Sequence, residues 1–367
     1  YPVFADAGLV VPTWPVAYGG LDLTPDQARL IESVLAPFNL GRLNPLGLNS
    51  VAPALFAHGT EEQRLRFLPP LVRNDMRWCQ LMSEPGAGSD LASLAMRAVR
   101  DGDQWILDGQ KVWTTWAHIS DWALCLARTD PTVPKRRGIT YFLVDLHLPG
   151  VEVRPLRHLG GEVDFNEVFL DGVRISDDCR VGAEGDGWRV VGATLAGERQ
   201  MVSGTGSGGV GRIGGAGVDA ILRRAAELGR AHDPLMRQRL ARAYSEERIR
   251  DWTNRRVRAA LTAGQTPGPA SSIGKIHQGA LNQQLQLLAT DLLGPAGLAW
   301  HADTPGDPES WAASLPREVQ GMLRSRANSI EGGTTEVNKN VLGEKVLGLP
   351  REPDPYRDVP WQDAPRS

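Results

Sequence analysis

One carboxylate in this chain stands where a solvated one would not. The segment from Trp188 to Gly204 is patterned as a helix, and Val191, Thr194, Leu195, Met201 and Val202 recur on it at steps of three, four and seven. Glu198 falls in the middle of that mostly apolar stripe. A carboxylate there must be paired, neutralised or used. Desolvation raises a carboxylate's pKa, which suits work as a general base. An ion pair with a nearby arginine fits the same spacing, so the stripe alone leaves both readings open.

Three glycine-bearing segments could hold a ligand. Ser83-Glu84-Pro85-Gly86-Ala87-Gly88-Ser89-Asp90 is a loop of small and acidic residues whose successive N–H groups could wrap an electron-rich ring or a phosphate. Taken alone, it could equally be a tight turn. Gly206-Ser207-Gly208-Gly209-Val210-Gly211 matches GxGxxG literally. The dinucleotide fingerprint needs a strand before it and a βαβ unit around it, whereas helices flank this one, so a nicotinamide site is rejected. Close approach of a ligand or a neighbouring helix is the remaining reason for so many glycines. Ile330-Glu331-Gly332-Gly333-Thr334-Thr335-Glu336 reads by itself as a helix–loop–helix turn with Thr334 as N-cap.

The elements that must position these residues fall into blocks. Residues 1–78 are predicted helical, with starts at Thr24-Pro25-Asp26-Gln27 and Thr60-Glu61-Glu62-Gln63. Residues 79–180 turn to short strands. Trp105 to Trp113 reads as a hairpin across Asp108-Gly109, and strands follow at Trp122–Ala127, Thr140–Leu146, Val151–Val153 and Val168–Leu170. That spacing predicts a small β-barrel or sandwich. Residues 181–348 return to helical periodicity over Val218–Leu228, Leu235–Ala260 and Ser271–Leu293, a C-terminal helical bundle. Residues 349–367 read as an extended tail lying on the surface or on a partner subunit. Segregated blocks without βαβ alternation define an α+β fold class.

Composition narrows the functions. With 367 residues, 41% hydrophobic, the chain can bury the cores of two or three domains. A net charge of −3 without blocks of like charge argues against nucleic acid or an anionic membrane as the main partner. No apolar run is long enough to span a bilayer. Cys79, Cys125 and Cys179 lie far apart, which disfavours a disulfide framework and fits a reducing cytoplasm. The seven histidines have no metal-ligand spacing, so no metal site is expected. The opening Tyr1-Pro2-Val3-Phe4-Ala5-Asp6 lacks the flank and apolar stretch of a secretory signal and reads as the middle of a domain, so upstream residues are expected.

Taken in order, the motifs resemble the acyl-CoA dehydrogenase family over nearly the whole chain. The resemblance is carried by Trp14-Pro15 with Tyr18-Gly19-Gly20, Cys79 through Asp90, Gly109-Gln110-Lys111-Val112-Trp113-Thr114-Thr115, Glu198-Arg199 and Gly332-Gly333-Thr334-Thr335-Glu336. The Gly-Gly-Thr form and the tail from Gly348 to Trp361 look most like actinobacterial members. The resemblance implies FAD held between the β-domain and the C-terminal helices, and oxidation of an acyl-CoA to its trans-2-enoyl thioester. By position, Met82 and Ser83 would lie along the isoalloxazine, with Trp113 and Thr115 covering its other side. Gly88 belongs to the same loop, and Ser89 falls where the family touches flavin or acyl-CoA. Thr334 and Glu336 match contacts to FAD, and the loop carrying Asp291, Gly294 and Gly297 matches one that approaches FAD across a dimer interface.

Many relatives place the base immediately before the Gly-Thr pair, where this chain has Gly332. The N–H groups of Gly332 and Gly333 could still polarise the thioester carbonyl. Other branches carry the base at the position of Glu198, directly before an arginine, here Arg199, which the resemblance places at the substrate. Glu198 is therefore the expected base, with Glu331, one residue from the usual position, in reserve. The family further implies an electron-transferring flavoprotein as acceptor and a homodimer or homotetramer. A non-catalytic partner subunit of a heteromeric dehydrogenase is the alternative, and a flavin oxidase on the same fold a third reading. The region from Gly229 to Pro234 lacks the Arg-x-x-Phe-Gly that the family often uses at a neighbour's FAD.

Overall fold

The computed structural model describes residues 1–35, 43–203, 215–263, 269, 272–298 and 315–365. The glycine cluster at 206–211 lies outside them. The chain divides into two compact units, one of residues 1–156, 163–198 and 353–367 and the other of residues 157–162 and 199–352.

In the first unit, helices α1 (Pro2–Asp6), α2 (Pro25–Leu35), α3 (Ala52–His58) and α4 (Glu61–Arg73) precede the strands. Both expected starts are reciprocal caps. Thr24 N–H donates to Gln27 Oε1 at 2.9 Å while Gln27 N–H donates to Thr24 Oγ1 at 3.3 Å. Thr60 and Gln63 repeat the exchange on α4. Buried Gln63 also donates to the carbonyls of Asp178 and Arg180 at 2.7 and 2.8 Å, tying the helix start to the end of the sheet.

The strands are β1 (Trp78–Leu81), β2 (Arg97–Asp101), β3 (Gln104–Thr115), β4 (Trp122–Arg128), β5 (Ile139–Asp145), β6 (Val151–Leu156), β7 (Phe165–Ser176) and β8 (Arg180–Val181). They form one sheet in the order β6-β7-β3-β2-β4-β5-β8, with β1 parallel to β4. On β4, Leu124 and Leu126 face a core shared with Leu55, Phe67 and Leu71 of the helices. Ala123, Cys125 and Ala127 face a second core with Trp105, Leu107 and Phe142. Burial on both faces explains the unbroken apolar run of that strand.

One expectation fails here. Asp108-Gly109 is not a hairpin turn, because β3 runs straight through it from Gln104 to Thr115. The hairpin turns earlier, at Gly102-Asp103 between β2 and β3, where Gly102 has φ 67°. At Gly109 the pairing with β7 shifts register. A Cβ there would lie 3.0 Å from the Cα of Met96. The glycine therefore answers a close backbone approach within the sheet and not a chain reversal.

Helix α5 (Gly187–Ser203) carries the predicted stripe. Val190, Val191 and Thr194 are fully buried, and Thr194 Oγ1 lies 3.3 Å from the Tyr141 hydroxyl. A Cβ at Gly197 would collide with the carbonyl of Asn49, so this glycine lets the helix backbone approach the segment before α3.

The second unit contains α6 (Val218–Glu227), α7 (Pro234–Thr262), α8 (Ser272–Leu293), α9 (Arg317–Ser325) and α10 (Thr335–Lys345). Its core interleaves Val218, Ile221 and Ala225 with Met236 and Leu240 and with Leu281, Leu285, Leu288 and Leu292, each set at helical spacing. The tail returns to the first unit. The Trp361 ring lies over the Arg128 guanidinium, 4.3 Å from ring centroid to carbon, and the Trp361 main-chain N–H donates to the Val133 carbonyl at 2.9 Å. Among the described residues, no helix is long and apolar enough to cross a membrane.

Candidate active site

In the first unit the structure joins two of the expected cofactor segments into one body. Lys111 is fully buried on β3, and its Nζ donates to Glu84 Oε1 at 2.8 Å and to the Met82 carbonyl at 3.0 Å. The Glu84 carboxylate also accepts from the N–H groups of Ala95 and Met96, at 2.6 and 2.9 Å. A buried ion pair persists only where geometry and further hydrogen bonds offset desolvation, and this one has both. It closes the 84–96 loop and fixes the main chain at Met82.

The next residues of β3 form a bulge. Register against β7 shifts between Lys111 and Thr114, and Trp113 has φ 59°. The bulge turns the Val112 N–H onto the Ser83 carbonyl at 2.9 Å. Buried Asn166 steadies the far side by donating to the Thr114 carbonyl at 3.0 Å. The result is a residue, Trp113, 56% exposed and next in chain to the Val112–Ser83 bond, its ring T-shaped against Phe165 with centroids 5.7 Å apart. Thr115, Met82 and Ser83 are half-buried, while Gly88 and Ser89 are exposed. A Cβ at Gly86 or Gly88 would meet nothing within 4 Å, so open space adjoins the loop.

Glu198 lies on α5 three residues beyond the half-buried Leu195 and four beyond the buried Thr194. The side chains of Glu198 and Arg199 lie outside the described residues.

The second unit holds the other group. Thr334 is the expected N-cap, its Oγ1 accepting from the Val337 N–H at 3.1 Å. Glu336 lies in the first turn of α10 and is exposed. Gly332 and Gly333 have φ 64° and 83°, a left-handed pair that glycine adopts without the Cβ penalty. Glu331 accepts from Asn328 Nδ2 at 2.6 Å and from Arg324 NH2 at 2.9 Å. Asp291 forms an ion pair with Arg239, and a Cβ on Gly294 would face open space. Gly297 is buried against Thr290 and Leu293.

Sequence reading passed over Glu84, Lys111, Asn166 and Asn328 as functional supports. The signal available for the first pair was a glutamate and a lysine inside otherwise small or apolar motifs, but nothing local pairs them.

The chain is a member of the acyl-CoA dehydrogenase family. It matches the N-terminal domain of that family over residues 1–75, the middle domain over 79–173 and the C-terminal domain over 185–347. Two similar proteins come from Mycobacterium tuberculosis. Acyl-CoA dehydrogenase FadE34 is 40% identical, covering 95% of this chain and 45% of its own length. Acyl-CoA dehydrogenase IpdE1 is 39% identical, covering 95% of this chain and 86% of its own length. The chain thus spans less than half of the first relative and most of the second. A solved structure, "Tcur3481-Tcur3483 steroid ACAD", superposes with a TM-score of 0.81 at 28% identity, covering 96% of this chain and 88% of that one.

Members of the family are FAD flavoproteins. The residues present fit such a group: an exposed indole on a rigid bulge, half-buried Met82 and Ser83 beside it, and open space next to Gly86 and Gly88.

Proposed function

We propose that the chain is an FAD-dependent acyl-CoA dehydrogenase that converts an acyl-CoA to its trans-2-enoyl thioester, with Glu198 as the base. The observation that carries this reading is the bulge presenting Trp113 beside the Met82–Ser83 main chain, locked by the Lys111–Glu84 pair. When bound, FAD supplies the acceptor for the hydride leaving the β-carbon.

The chain's own residues do the rest. Met82, Ser83, Gly88 and Ser89 line one side of the cofactor, with Trp113 and Thr115 on the other. Asp291, Gly294, Gly297, Thr334 and Glu336 are the proposed contacts from the second unit, or from that of a neighbouring subunit. The Glu198 carboxylate takes the α-proton and becomes the acid, while the electron pair of the broken C–H bond forms the α,β double bond as hydride departs. The N–H groups of Gly332 and Gly333 polarise the thioester carbonyl, and Arg199 lies at the substrate.

A steroid or similarly bulky acyl group is the proposed substrate class, supported by the steroid dehydrogenase that this chain resembles. The Gly-Gly-Thr form supports the reading of an actinobacterial-type member, and an electron-transferring flavoprotein is the proposed electron acceptor.

Anaerobic titration of the purified protein with straight-chain, branched and steroid acyl-CoAs tests the reading. Bleaching of the visible flavin band by one class is expected. Glu198→Gln is expected to slow that bleaching by about 10²- to 10⁴-fold, the usual contribution of a positioned base. A Glu198→Gln protein that keeps its flavin and bleaches at the normal rate would remove Glu198 from the mechanism.

A second reading, a partner subunit in a heteromeric dehydrogenase, is favoured by the paired designation of that solved relative and by glycine at position 332. Under it the chain expressed alone binds no flavin, whereas the leading reading expects a flavin-loaded homodimer or homotetramer.

A further inference from the structure

The second unit contains a polar network that ends on Glu331. Asn328 is its hub, 6% exposed. Its carbonyl accepts from Lys275 Nζ at 2.6 Å and its Oδ1 from Asn282 Nδ2 at 2.7 Å, both donors being buried side chains on α8. A Cβ at Gly279 would lie 2.9 Å from that same carbonyl, so glycine lets α8 approach the hub this closely. Asn282 is held in turn, its Oδ1 accepting from Gln286 Nε2 at 2.9 Å. The one remaining polar atom of the Asn328 side chain, Nδ2, donates to Glu331 Oε1 at 2.6 Å. The other Glu331 oxygen accepts from Arg324 on α9 at 2.9 Å.

Past the two glycines a second anchor closes the turn. Buried Asn338 donates from Nδ2 to the carbonyls of Gly333 and Thr334, each at 3.0 Å. Gly332 and Gly333, the most permissive residues of the segment, are thus held at both ends by buried amides.

We infer that Glu331 is a positioning residue: through Asn328 and Arg324 its carboxylate clamps the entry to the Gly332–Gly333 turn and aims the N–H groups of that turn. Both of its oxygens are engaged. Reaching a substrate proton would break a hydrogen bond to Asn328 and another to Arg324, and would release the turn as the reaction begins. The role assigned to the turn's N–H groups rests on the dehydrogenase reading, whereas the clamp itself does not.

The test compares the flavin-loaded protein with its Glu331→Gln and Glu331→Ala variants, using octanoyl-CoA and the CoA thioester of a steroid side-chain acid. Amide hydrogen exchange over residues 330–338 reads the clamp without substrate. Exchange of the thioester α-hydrogens with deuterated water reads the base. In Glu331→Ala, amides 332–334 are expected to exchange about tenfold faster while those of α6 stay unchanged, since local opening needs only the local contacts to be lost. Glu331→Gln is expected to keep α-hydrogen exchange, slowed about tenfold with an unchanged pH profile, and to lower kcat about tenfold with little change in KM, as weakened carbonyl polarisation requires.

Loss of α-hydrogen exchange in Glu331→Gln, with normal amide exchange over 330–338, would make Glu331 the base and overturn the proposal. Unchanged amide exchange in Glu331→Ala overturns the clamp. If the wild-type protein exchanges α-hydrogens of neither thioester, the dehydrogenase reading fails, and the amide data still decide the clamp.

Discussion

Glu84 in the first unit and Glu331 in the second both hold a loop, but by different physics. Glu84 is 8% exposed, and its partner Lys111 is wholly buried, so the pair survives by saturating its hydrogen bonds with the main chain at Met82, Ala95 and Met96. Glu331 is half-buried and works through neutral Asn328 and one arginine, spanning a single turn. The first arrangement is costly to break and makes a rigid wall. The second is cheaper and holds a turn built from the least restrained residues in the chain. A stiff scaffold thus carries an aromatic face in the first unit, whereas in the second a clamp restrains a glycine turn.

Lys111→Met should break that comparison with the largest effect. It leaves the Glu84 carboxylate buried without its cation and should cost about 3–5 kcal/mol, read as a lowered urea midpoint. Adding Glu84→Gln should restore part of the loss. A single variant that unfolds like the wild type would show that the wall is not held by charge.

Gly333→Ala should be smaller, about 1–2 kcal/mol, because a side chain is forced to φ 83°. Its Cβ would also lie 3.2 Å from the Asn338 amide, and a thermal melt reads both costs together. Thr334→Ala, which removes the cap of α10, should cost about 1 kcal/mol in the same melt. If the cap variant proved worse than the glycine variant, the turn would be held by its helix and not by its clamp.

The smallest effect lies at the end of the sheet. Asp177 accepts two hydrogen bonds from Arg180, at 2.8 and 2.9 Å, and one from the Trp105 indole at 2.7 Å. The Arg180 bonds, with the indole's help, bring its pKa down to about 2. A depressed carboxylate contributes stability present above its unfolded value near 4 and lost as pH falls through the folded value. Asp177→Asn should therefore remove on the order of 1 kcal/mol at pH 7, discounted for solvent screening, and nothing below pH 2. Urea unfolding at both pH values checks it; a loss that persists at pH 2 would mean shape, not charge, is what Asp177 supplies.

Much of the fold was legible because its signals are local. The caps at Thr24, Thr60 and Thr334 each involve residues three apart, and the structure forms all three. The stripe that marked Glu198 proved to be a buried helix face as far as Thr194. Asp108-Gly109 misled because a turn and a bulge both call for glycine, and only the approach of Met96 distinguishes them. The tail, expected to be extended on the surface or on a partner, is exposed over residues 349–358, and beyond them Trp361 packs over Arg128, an interaction spanning 233 residues of chain.

The sequence by itself determined the family, the segregated helix and strand blocks, and the residues expected to do the chemistry, since periodicity, caps and motif order are written in neighbouring letters. Only the tertiary structure decided that Lys111 belongs to Glu84, that Val112 belongs to Ser83, and that Asn328 carries α8's hold to Glu331. Lys111 and Glu84, Val112 and Ser83, and Asn328 and its partners on α8 lie too far apart in the chain for any local pattern to pair them, and a buried polar group such as Lys111 or Lys275 must find a partner.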